Sequence, residues 1–336
     1  MSARSANPIT DPAPVGSGAD GLLALDLQGD PEALLEGRMT NWQENEPRAG
    51  MKRIFVAPGP ELASVLEARW RTYGDEFKHC SKKCSEEAVH ELRVAIRRLL
   101  SQLTLIEVIR PGPALAKLRQ ALKRQFKQFG ELRDVHVQRQ LIQGLNGRFP
   151  VVLLLDAELA RREKRLVREA ARSLKAVKER KLLTGVVRVL ASLMLESENA
   201  DAQRLMLAQI MEATGAAFSE VNQRRLEASP SEPATIHRVR LAYKKFRYMV
   251  ETLSPTWTGY TPAQLRRMAY YQRRLGRIQD LEVLSKTLNG FAELQAHSSE
   301  AFRPAFTLID RRRREAMRAF LLRADEISSF WPPHAA

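Results

Sequence analysis

The sequence predicts an all-α protein, and three observations carry that prediction. From Glu61 onward apolar residues recur at spacings of three and four, alternating strand patterns are missing, and clusters of Pro and Gly fall only between the periodic segments. We expect helices at 61–79, 86–109, 114–143, 151–180, 184–195, 201–227, 234–253, 263–288 and 300–327. Residues 1–58 lack sustained periodicity and are rich in Pro, Gly, Ser and Asp, which predicts a disordered acidic arm.

A basic motif occurs once in each half of the chain. HELRVAIRR at 90–98 returns as HRVRLAYKK at 237–245, an offset of 147 residues, and GELRD at 130–134 returns as GRIQD at 276–280, an offset of 146. Two ordered matches at nearly one offset indicate a duplicated unit far longer than a short solenoid repeat. Each copy holds a leading helix, a histidine helix, a Gly-Asp helix and a long basic helix. We therefore expect two four-helix units, at about 59–198 and 199–330.

The charge distribution predicts a polyanionic partner. The chain has a net charge of +15, although residues 1–50 hold three basic side chains against eight acidic ones. A basic excess of this size fits nucleic acid, a membrane surface or an inorganic phosphate polymer, and composition does not distinguish them. No apolar run is long enough to span a membrane, and the first residues lack the basic and apolar blocks of a signal peptide, so we expect neither a membrane span nor a secretion signal. With only two cysteines, the chain is expected to be cytoplasmic.

Each histidine helix is predicted to have a cationic face opposite an apolar face. At about 100° per residue, the cationic residues fall within about 80° of the histidine. In the first copy they are His90, Arg93, Arg97 and Arg98, opposite Leu92, Ile96, Leu99, Leu103 and Ile106. In the second copy they are His237, Arg240, Lys244 and Lys245, with Tyr248 on the same side, opposite Val239, Ala242, Tyr243, Phe246, Val250 and Leu253.

The like charges on these faces suggest an anionic ligand. Arg93 and Arg97 are equal charges at i,i+4, as are Arg240 and Lys244, and neither motif holds an acid at a spacing that would relieve them. A solvated amphipathic helix is the alternative interpretation of any one such face. Repetition of the same unrelieved charges in both halves favours an absent anion, to which His90 and His237 could donate hydrogen bonds.

The helix after each histidine helix carries a further basic stripe. Arg119, Lys123 and Lys127 step by four in the first copy, and Arg273 and Arg274 belong to the second. Gly130 and Gly276 are expected to permit close helix approach or a bend. Asp134 and Asp280 are expected to cap a helix or pair with an arginine, as part of the scaffold.

These motifs resemble those of the CHAD family, the conserved histidine α-helical domains. The resemblance rests on AVHELRVAIRR, FGELRD, IHRVRLAYKKFRY and LGRIQD, in that order, and covers residues from about 60 to 330. Phe129 replaces the usual Leu before Gly130. The resemblance implies two pseudosymmetric four-helix bundles around a basic central groove or pore that holds inorganic polyphosphate, and association with polyphosphate granules.

The candidate polyphosphate contacts combine the family motifs with the following basic stripe. They are His90, Arg93, Arg97, Arg98, Arg119, Lys123, Lys127, His237, Arg240, Lys244, Lys245, Arg247, Arg273 and Arg274. Polyphosphate-granule proteins are possible further partners. A protein that binds the nucleic-acid backbone, or an accessory domain to a phosphate-metabolising enzyme, remains the alternative, and weak nonspecific nucleic-acid binding is expected in any case.

We expect no catalysis, cofactor or metal site in this chain. Paired catalytic carboxylates and a P-loop are missing from the sequence. The catalytic triphosphate-tunnel domain often fused to CHAD domains has an E-x-E-x-K strand, and the nearest string here has Glu44, Glu46 and Arg48 around a proline. His79, Cys80 and Cys84 lie close in sequence, but Cys-x-x-x-Cys with one histidine is a poor zinc pattern.

Overall fold

The computed structural model describes residues 57–145, 149–195, 197–254, 260–294 and 299–331, and these residues are almost entirely helical. The helices are α1 (Pro58–Lys82), α2 (Glu86–Ile109), α3 (Pro113–Gln128), α4 (Gly130–Gln143), α5 (Pro150–Lys175), α6 (Glu179–Met194), α7 (Ala200–Leu226), α8 (Pro233–Leu253), α9 (Pro262–Leu294) and α10 (Arg303–Leu321). Short 3₁₀ helices span Ser299–Phe302 and Ala324–Phe330. The all-helical prediction is confirmed for this part of the chain.

Local sequence signals place the starts of most helices. Proline occupies the first turn of α1, α3, α5, α8 and α10, where its missing N–H costs no intrahelical hydrogen bond. The first histidine helix, α2, begins at an N-cap serine, because the Ser85 hydroxyl accepts a hydrogen bond from the Ala88 N–H at 3.2 Å. Asn199 caps α7 in the same way.

The predicted apolar faces form the core. Leu92, Ile96, Leu99, Leu103 and Ile106 of α2 are completely inaccessible to solvent. On α8 the predicted residues Val239, Tyr243, Phe246 and Val250 are equally inaccessible, and Ala242 and Leu253 are buried. Burial of one face fixes the rotation of each helix, so the opposite face carries the basic residues outward from the core.

The segment predicted as one helix over 114–143 is instead two helices. The chain leaves helical geometry at Phe129 (φ −92°, ψ 3°), between α3 and α4, and the Phe129 side chain is completely buried there. The bend expected at Gly130 is therefore present, but α9 runs without a break through Gly276, where an added Cβ would meet nothing within 4 Å. Gly276 thus marks neither a break in the helix nor a close approach.

Four other predicted helix ends differ from the structure by five or six residues. Two helices are longer than predicted, because α6 begins at Glu179 rather than 184 and α9 continues to Leu294 rather than 288. The helix expected over 151–180 ends at Lys175, and the next helix, α6, begins at Glu179. The helix expected over 300–327 is shortened to Arg303–Leu321, and the chain continues as the 3₁₀ helix Ala324–Phe330. Phe330 of this 3₁₀ segment is buried against Tyr243 and Tyr271, so its ring adds to the core beside α8 and α9.

The two histidine helices lie in contact with each other. α2 packs against α1, α3, α4, α7 and α8, while α8 packs against α7 and α9 as well as α2. α4 and α9, which carry the two Gly-Asp motifs, are also in contact. Arg69 of α1 ties this junction together, because it donates hydrogen bonds to the Arg98 carbonyl at 3.0 Å and to the Thr252 hydroxyl at 2.9 Å.

The arm predicted over residues 1–58 lies outside the described residues except at its end, where α1 starts at Pro58. The string with Glu44, Glu46 and Arg48 is also outside them. In the described ranges, every helix is too short or too polar to be a candidate for crossing a membrane.

Candidate functional site

Four predicted site residues meet where α2 packs against α8, and His90 lies beside two of them, Arg93 and Arg97. We call His90, Arg93 and Arg97 of α2, with Arg240 and Lys244 of α8, the central basic cluster. The positive charges of Arg97 and Arg240 repel each other across the two helices. The positive charges of Arg93 and Arg97 likewise disfavour the charged form of Lys244. The cluster therefore contains cations from both copies of the repeated motif.

Two arginines of the cluster are held in place by aromatic rings. The Arg93 guanidinium lies 4.1 Å from the centre of the Phe126 ring and donates to the Phe126 carbonyl at 2.7 Å. Arg97 lies 5.5 Å from the same ring centre and donates to the Tyr248 hydroxyl of α8 at 3.2 Å. These contacts fix the guanidinium groups before any ligand arrives, which lowers the entropy lost on binding.

Buried donors in the cluster have no protein acceptor. Within the described residues, the Nε atoms of Arg93, Arg97 and Arg240 are inaccessible to solvent and lack a hydrogen-bond partner. A buried donor without an acceptor costs free energy, so such groups in a native structure call for an explanation. Buried Nε atoms without a partner also occur at Arg119, Arg225, Arg247 and Arg274, so it is the convergence of like charges from both motifs, rather than these donors, that favours a site for an anion with several oxygens.

Lys244 has the most perturbed charge in the cluster. Burial, followed by the positive charges of Arg97, Arg240 and Arg93, lowers the pKa of Lys244 to about 7. The free protein therefore keeps this ammonium only partly charged near neutral pH. A bound anion would favour the charged form and raise the pKa of Lys244 again.

Each histidine lies beside the residue that precedes the aspartate of its own Gly-Asp motif. Burial and the charges of Arg133, Arg97 and Arg93 lower the pKa of His90 below its ordinary value. His237 is exposed and its Nδ1 is hydrogen-bonded to the side-chain oxygen of Gln279. Arg133 and Gln279 occupy the same position of the repeated motif, directly before its aspartate.

Arg133 lies beside the central basic cluster and is absent from the sequence-based list. It lies on α4, acts electrostatically on His90 and Arg93, and forms an ion pair with Glu86 at 3.2 Å. In the sequence, its position in the GELRD motif is the feature that could have indicated a role at the site. Only the fold shows that this motif lies against the histidine helix.

The two motif aspartates lie beside the arginines of their own halves. Asp134 acts on Arg93, and Asp280 acts on Arg240. Desolvation by the surrounding helices nevertheless raises the pKa of both carboxyl groups above the ordinary value. The expected pairing of each aspartate with an arginine is thus an attraction between nearby charges rather than a hydrogen-bonded ion pair. The two acids are outnumbered by the cations around them, so the junction remains positively charged. These cations are Arg93, Arg97, Arg133, Arg240 and Lys244.

Four of the predicted site residues have acidic partners of their own. Arg119 is paired with Glu107, Arg247 with Glu251, and Arg274 with Glu326. Lys245, directly after Lys244 in the chain, reaches Glu220 of α7 at 3.2 Å. These ion pairs partly neutralise the four cations, which distinguishes them from the cations of the central basic cluster.

The remaining predicted residues lie around the cluster or away from it. Arg98 lies next to Arg69. Burial, and to a smaller extent the charge of Arg98, lower the pKa of Arg69 to about 10. Lys123 and Lys127 are exposed on α3. Arg273 is exposed, lies 5.6 Å from the centre of the Tyr270 ring, and lines an open cleft of about 360 Å³ with Arg266, Arg267 and Glu326.

The described ranges hold no group of three or more His, Cys, Asp or Glu side chains placed to bind one metal ion. The donors at the junction are guanidinium, ammonium and imidazole groups, with the carboxyl groups of Asp134 and Asp280 beside them. Such donors bind phosphate oxygens well, with arginine able to engage two oxygens at once.

The fold and the site define an all-helical protein with a cationic cluster at the contact between two histidine helices. Residues 67–289 match the CHAD domain family, and the chain belongs to that family. The resemblance drawn from the sequence motifs is thus confirmed.

Two solved structures are similar to this fold. The CHAD domain from the plant Ricinus communis has a TM-score of 0.59 and 21% sequence identity, and the match covers 82% of this chain and 97% of that one. PptA from Streptomyces chartreusis has a TM-score of 0.59 and 18% identity, with 80% and 99% of the two chains covered. No curated protein sequence matches this chain. At these identities the structural matches support the fold alone.

Proposed function

We propose that this protein binds inorganic polyphosphate through the central basic cluster, without catalysing a reaction. The observation that carries the proposal is that the positive charges of Arg93, Arg97 and Arg240, which come from both motifs, converge on Lys244. In this proposal the two histidine helices line a groove between two pseudosymmetric halves of the protein. One phosphate chain in that groove contacts both halves.

The ligand class follows from the kind of donors present. Inorganic polyphosphate has about one negative charge per phosphate and, unlike nucleic acid, has no base edges that a protein could recognise. A dense group of cations is therefore sufficient to bind it. Nucleic acid is the second candidate, since backbone contacts use the same donors. The exposed aromatic platforms typical of single-strand binders are not part of the cluster, because Phe126 and Tyr248 are engaged by Arg93 and Arg97.

The proposal extends to the role of the protein in the cell. We place it in the cytoplasm, at polyphosphate granules, where polymer binding by the cluster would recruit the protein or organise the polymer. A role as accessory domain to a separate phosphate-metabolising enzyme is compatible with the same binding site.

Salt dependence tests the electrostatic basis of binding. The logarithm of the association constant should fall linearly with the logarithm of salt concentration, because binding releases condensed counterions. Arg240→Gln should reduce the magnitude of that slope by up to about one unit. Lys245→Gln, which removes a charge paired with Glu220, should change the slope less. The readout is calorimetric titration with polyphosphate of defined length at several salt concentrations.

Two outcomes of that titration would contradict the proposal. Equal slope changes in both variants would indicate general attraction to a basic surface. A duplex DNA fragment that displaces polyphosphate at equal phosphate concentration would favour nucleic acid as the ligand class.

The pH dependence of binding should occupy two separate windows. Lys244 has a pKa of about 7 in the free protein and a higher pKa beside a bound anion, so affinity should fall as pH rises above about 7. The pKa of free His90 is below the ordinary value of about 6.5, so its contribution should appear only at lower pH. Affinity measured from pH 5.5 to 9 at fixed ionic strength tests both windows.

Variants assign each window to its residue. His90→Gln should flatten the profile on the acid side and Lys244→Met on the alkaline side. A profile that is unchanged above pH 7 in Lys244→Met would show that this lysine does not contact the ligand.

A further inference from the structure

A row of exposed arginines runs along α9 away from the central basic cluster. At about 100° per residue, Arg266, Arg273 and Arg277 all fall within about 60° of Asp280, on one stripe of the helix. All three arginines are exposed, and we call them the arginine track. From Asp280 to Arg266 the stripe covers ~21 Å along the helix axis, because each residue of an α-helix adds about 1.5 Å.

The track begins beside the central basic cluster. Gln279, two residues after Arg277, is hydrogen-bonded to the Nδ1 atom of His237, which fixes this part of α9 against α8. Asp280 acts electrostatically on Arg240 of the cluster. The helix runs without a break from Pro262 to Leu294, so it holds the track at a fixed distance from the cluster.

The other end of the track lies in the open cleft of about 360 Å³. Arg266 and Arg273 both line this cleft. The acidic residue in the cleft lining, Glu326, already forms an ion pair with Arg274. A ligand that reached the cleft would therefore meet two arginines that do not share the charge of Glu326.

The charges of the track are not balanced by neighbouring acids. Within the described residues Arg266, Arg273 and Arg277 form no ion pair, whereas other surface arginines such as Arg162 and Arg204 do. Arg273 and Arg277 are also like charges at i,i+4, which is unfavourable on a helix. One exposed arginine needs no ligand to explain it, but a line of three that starts beside an anion site matches a linear polyanion.

The first copy of the repeat lacks a matching track on its described helices. Glu131 occupies the motif position of Arg277, and its carboxylate accepts a hydrogen bond from the Arg162 Nε at 3.0 Å. The helix also breaks at Phe129, so Lys127, the counterpart of Arg273, does not continue an unbroken stripe toward the cluster. The two halves are thus unequal beyond the cluster.

We propose that the arginine track binds the part of a long polyphosphate chain that extends beyond the central basic cluster. This inference rests on the proposed function, because the cluster binds the first part of the chain. The second contact is then made within one complex, which raises the affinity for a chain long enough to reach both regions. The protein therefore binds long polyphosphate more tightly than short polyphosphate, and the polymer leaves the cluster along α9 of the second copy.

Calorimetric titration with two ligands tests the proposal. The ligands are tripolyphosphate and a polyphosphate of several tens of phosphates, at constant pH and at a salt concentration where charges are screened beyond ~8 Å. The double variant Arg266→Gln, Arg273→Gln should weaken binding of the long chain by about tenfold and reduce its salt slope by up to about two units. Its affinity for tripolyphosphate should stay within about twofold of that of the wild type.

The double variant Lys123→Gln, Lys127→Gln is the matched control. It removes the same charge from two exposed positions on α3, the corresponding helix of the first copy. We expect it to weaken binding of either ligand by no more than about twofold. The proposal is overturned if the track variant leaves long-chain affinity unchanged, if it weakens both ligands equally, or if the control is as damaging.

Arg97→Gln separates these outcomes from a failure of the proposed function. If the central basic cluster binds polyphosphate, this variant weakens binding of both ligands, whatever the track variant does. If Arg97→Gln leaves both affinities unchanged, the cluster is not the binding site and the proposed function fails together with the track.

Discussion

Replacement of Lys244 by methionine should make the free protein more stable and weaken its binding of polyphosphate. The pKa of Lys244 is about 7 in the folded protein against an ordinary value of 10.5, so folding disfavours the charged ammonium. Methionine fills a similar volume without a charge, and we expect a gain of roughly 1–3 kcal/mol in the free energy of unfolding near neutral pH. A residue kept at a cost to stability is typical of a binding site.

The gain should depend on pH in a defined direction. The unfavourable charge of Lys244 is fully present below about pH 7 and disappears as pH rises toward 10.5, because the unfolded chain then also loses its proton. The stability difference between Lys244→Met and wild type, measured by urea unfolding, should therefore be larger at pH 6.5 than at pH 9.5.

Lys245→Met is the matched control for this prediction. Lys245 is exposed and paired with Glu220 at 3.2 Å, so its removal should change stability little and polyphosphate affinity less than Lys244→Met does. A loss of stability in Lys244→Met, or equal affinity losses in the two variants, would contradict the account of the cluster.

Arg97→Gln and Arg240→Gln should each weaken polyphosphate binding by about tenfold or more, since each removes charge-assisted hydrogen bonds. The two residues come from different copies of the motif, yet their charges act on each other across the α2–α8 contact. One ligand that touches both copies requires a loss in both single variants. Calorimetry at constant pH and salt provides the affinities.

Arg119→Gln is the comparison variant, because Arg119 is paired with Glu107 and belongs to the same sequence-based list. We expect its affinity loss to be no more than about threefold. If only one of Arg97 and Arg240 matters, binding to both halves is wrong, and if Arg119→Gln is as damaging as either, the cluster does not define the site.

Sequence periodicity predicted the helices and their buried faces because burial of one face leaves a local pattern. The five apolar residues of α2 are completely inaccessible to solvent, as their spacing indicated. The break at Phe129 has no comparable pattern in the sequence. The glycine that follows it, Gly130, does not predict a break by itself, because the matching Gly276 lies within an unbroken helix. Helix breaks of this kind depend on tertiary packing of a side chain such as Phe129.

The candidate site was predictable only in part. The motif supplied all five members of the central basic cluster, because their helical spacing is local. The neutralising acids were not predictable from that spacing, since Glu220 and Glu326 reach Lys245 and Arg274 from other elements. Arg133 was omitted for the same reason, because only the packing of α4 beside α2 brings it to His90.

Lysine footprinting tests the central claim most directly. Lys244 should react readily with an amine-directed acylating reagent near pH 7.5, because its pKa of about 7 leaves most of it as the free amine. The account predicts that saturating polyphosphate of defined length protects Lys244 while the adjacent Lys245, on the Glu220 side of α8, remains labelled. Equal labelling of Lys244 with and without polyphosphate, under conditions where calorimetry shows full binding, would contradict the placement of the ligand at the central basic cluster.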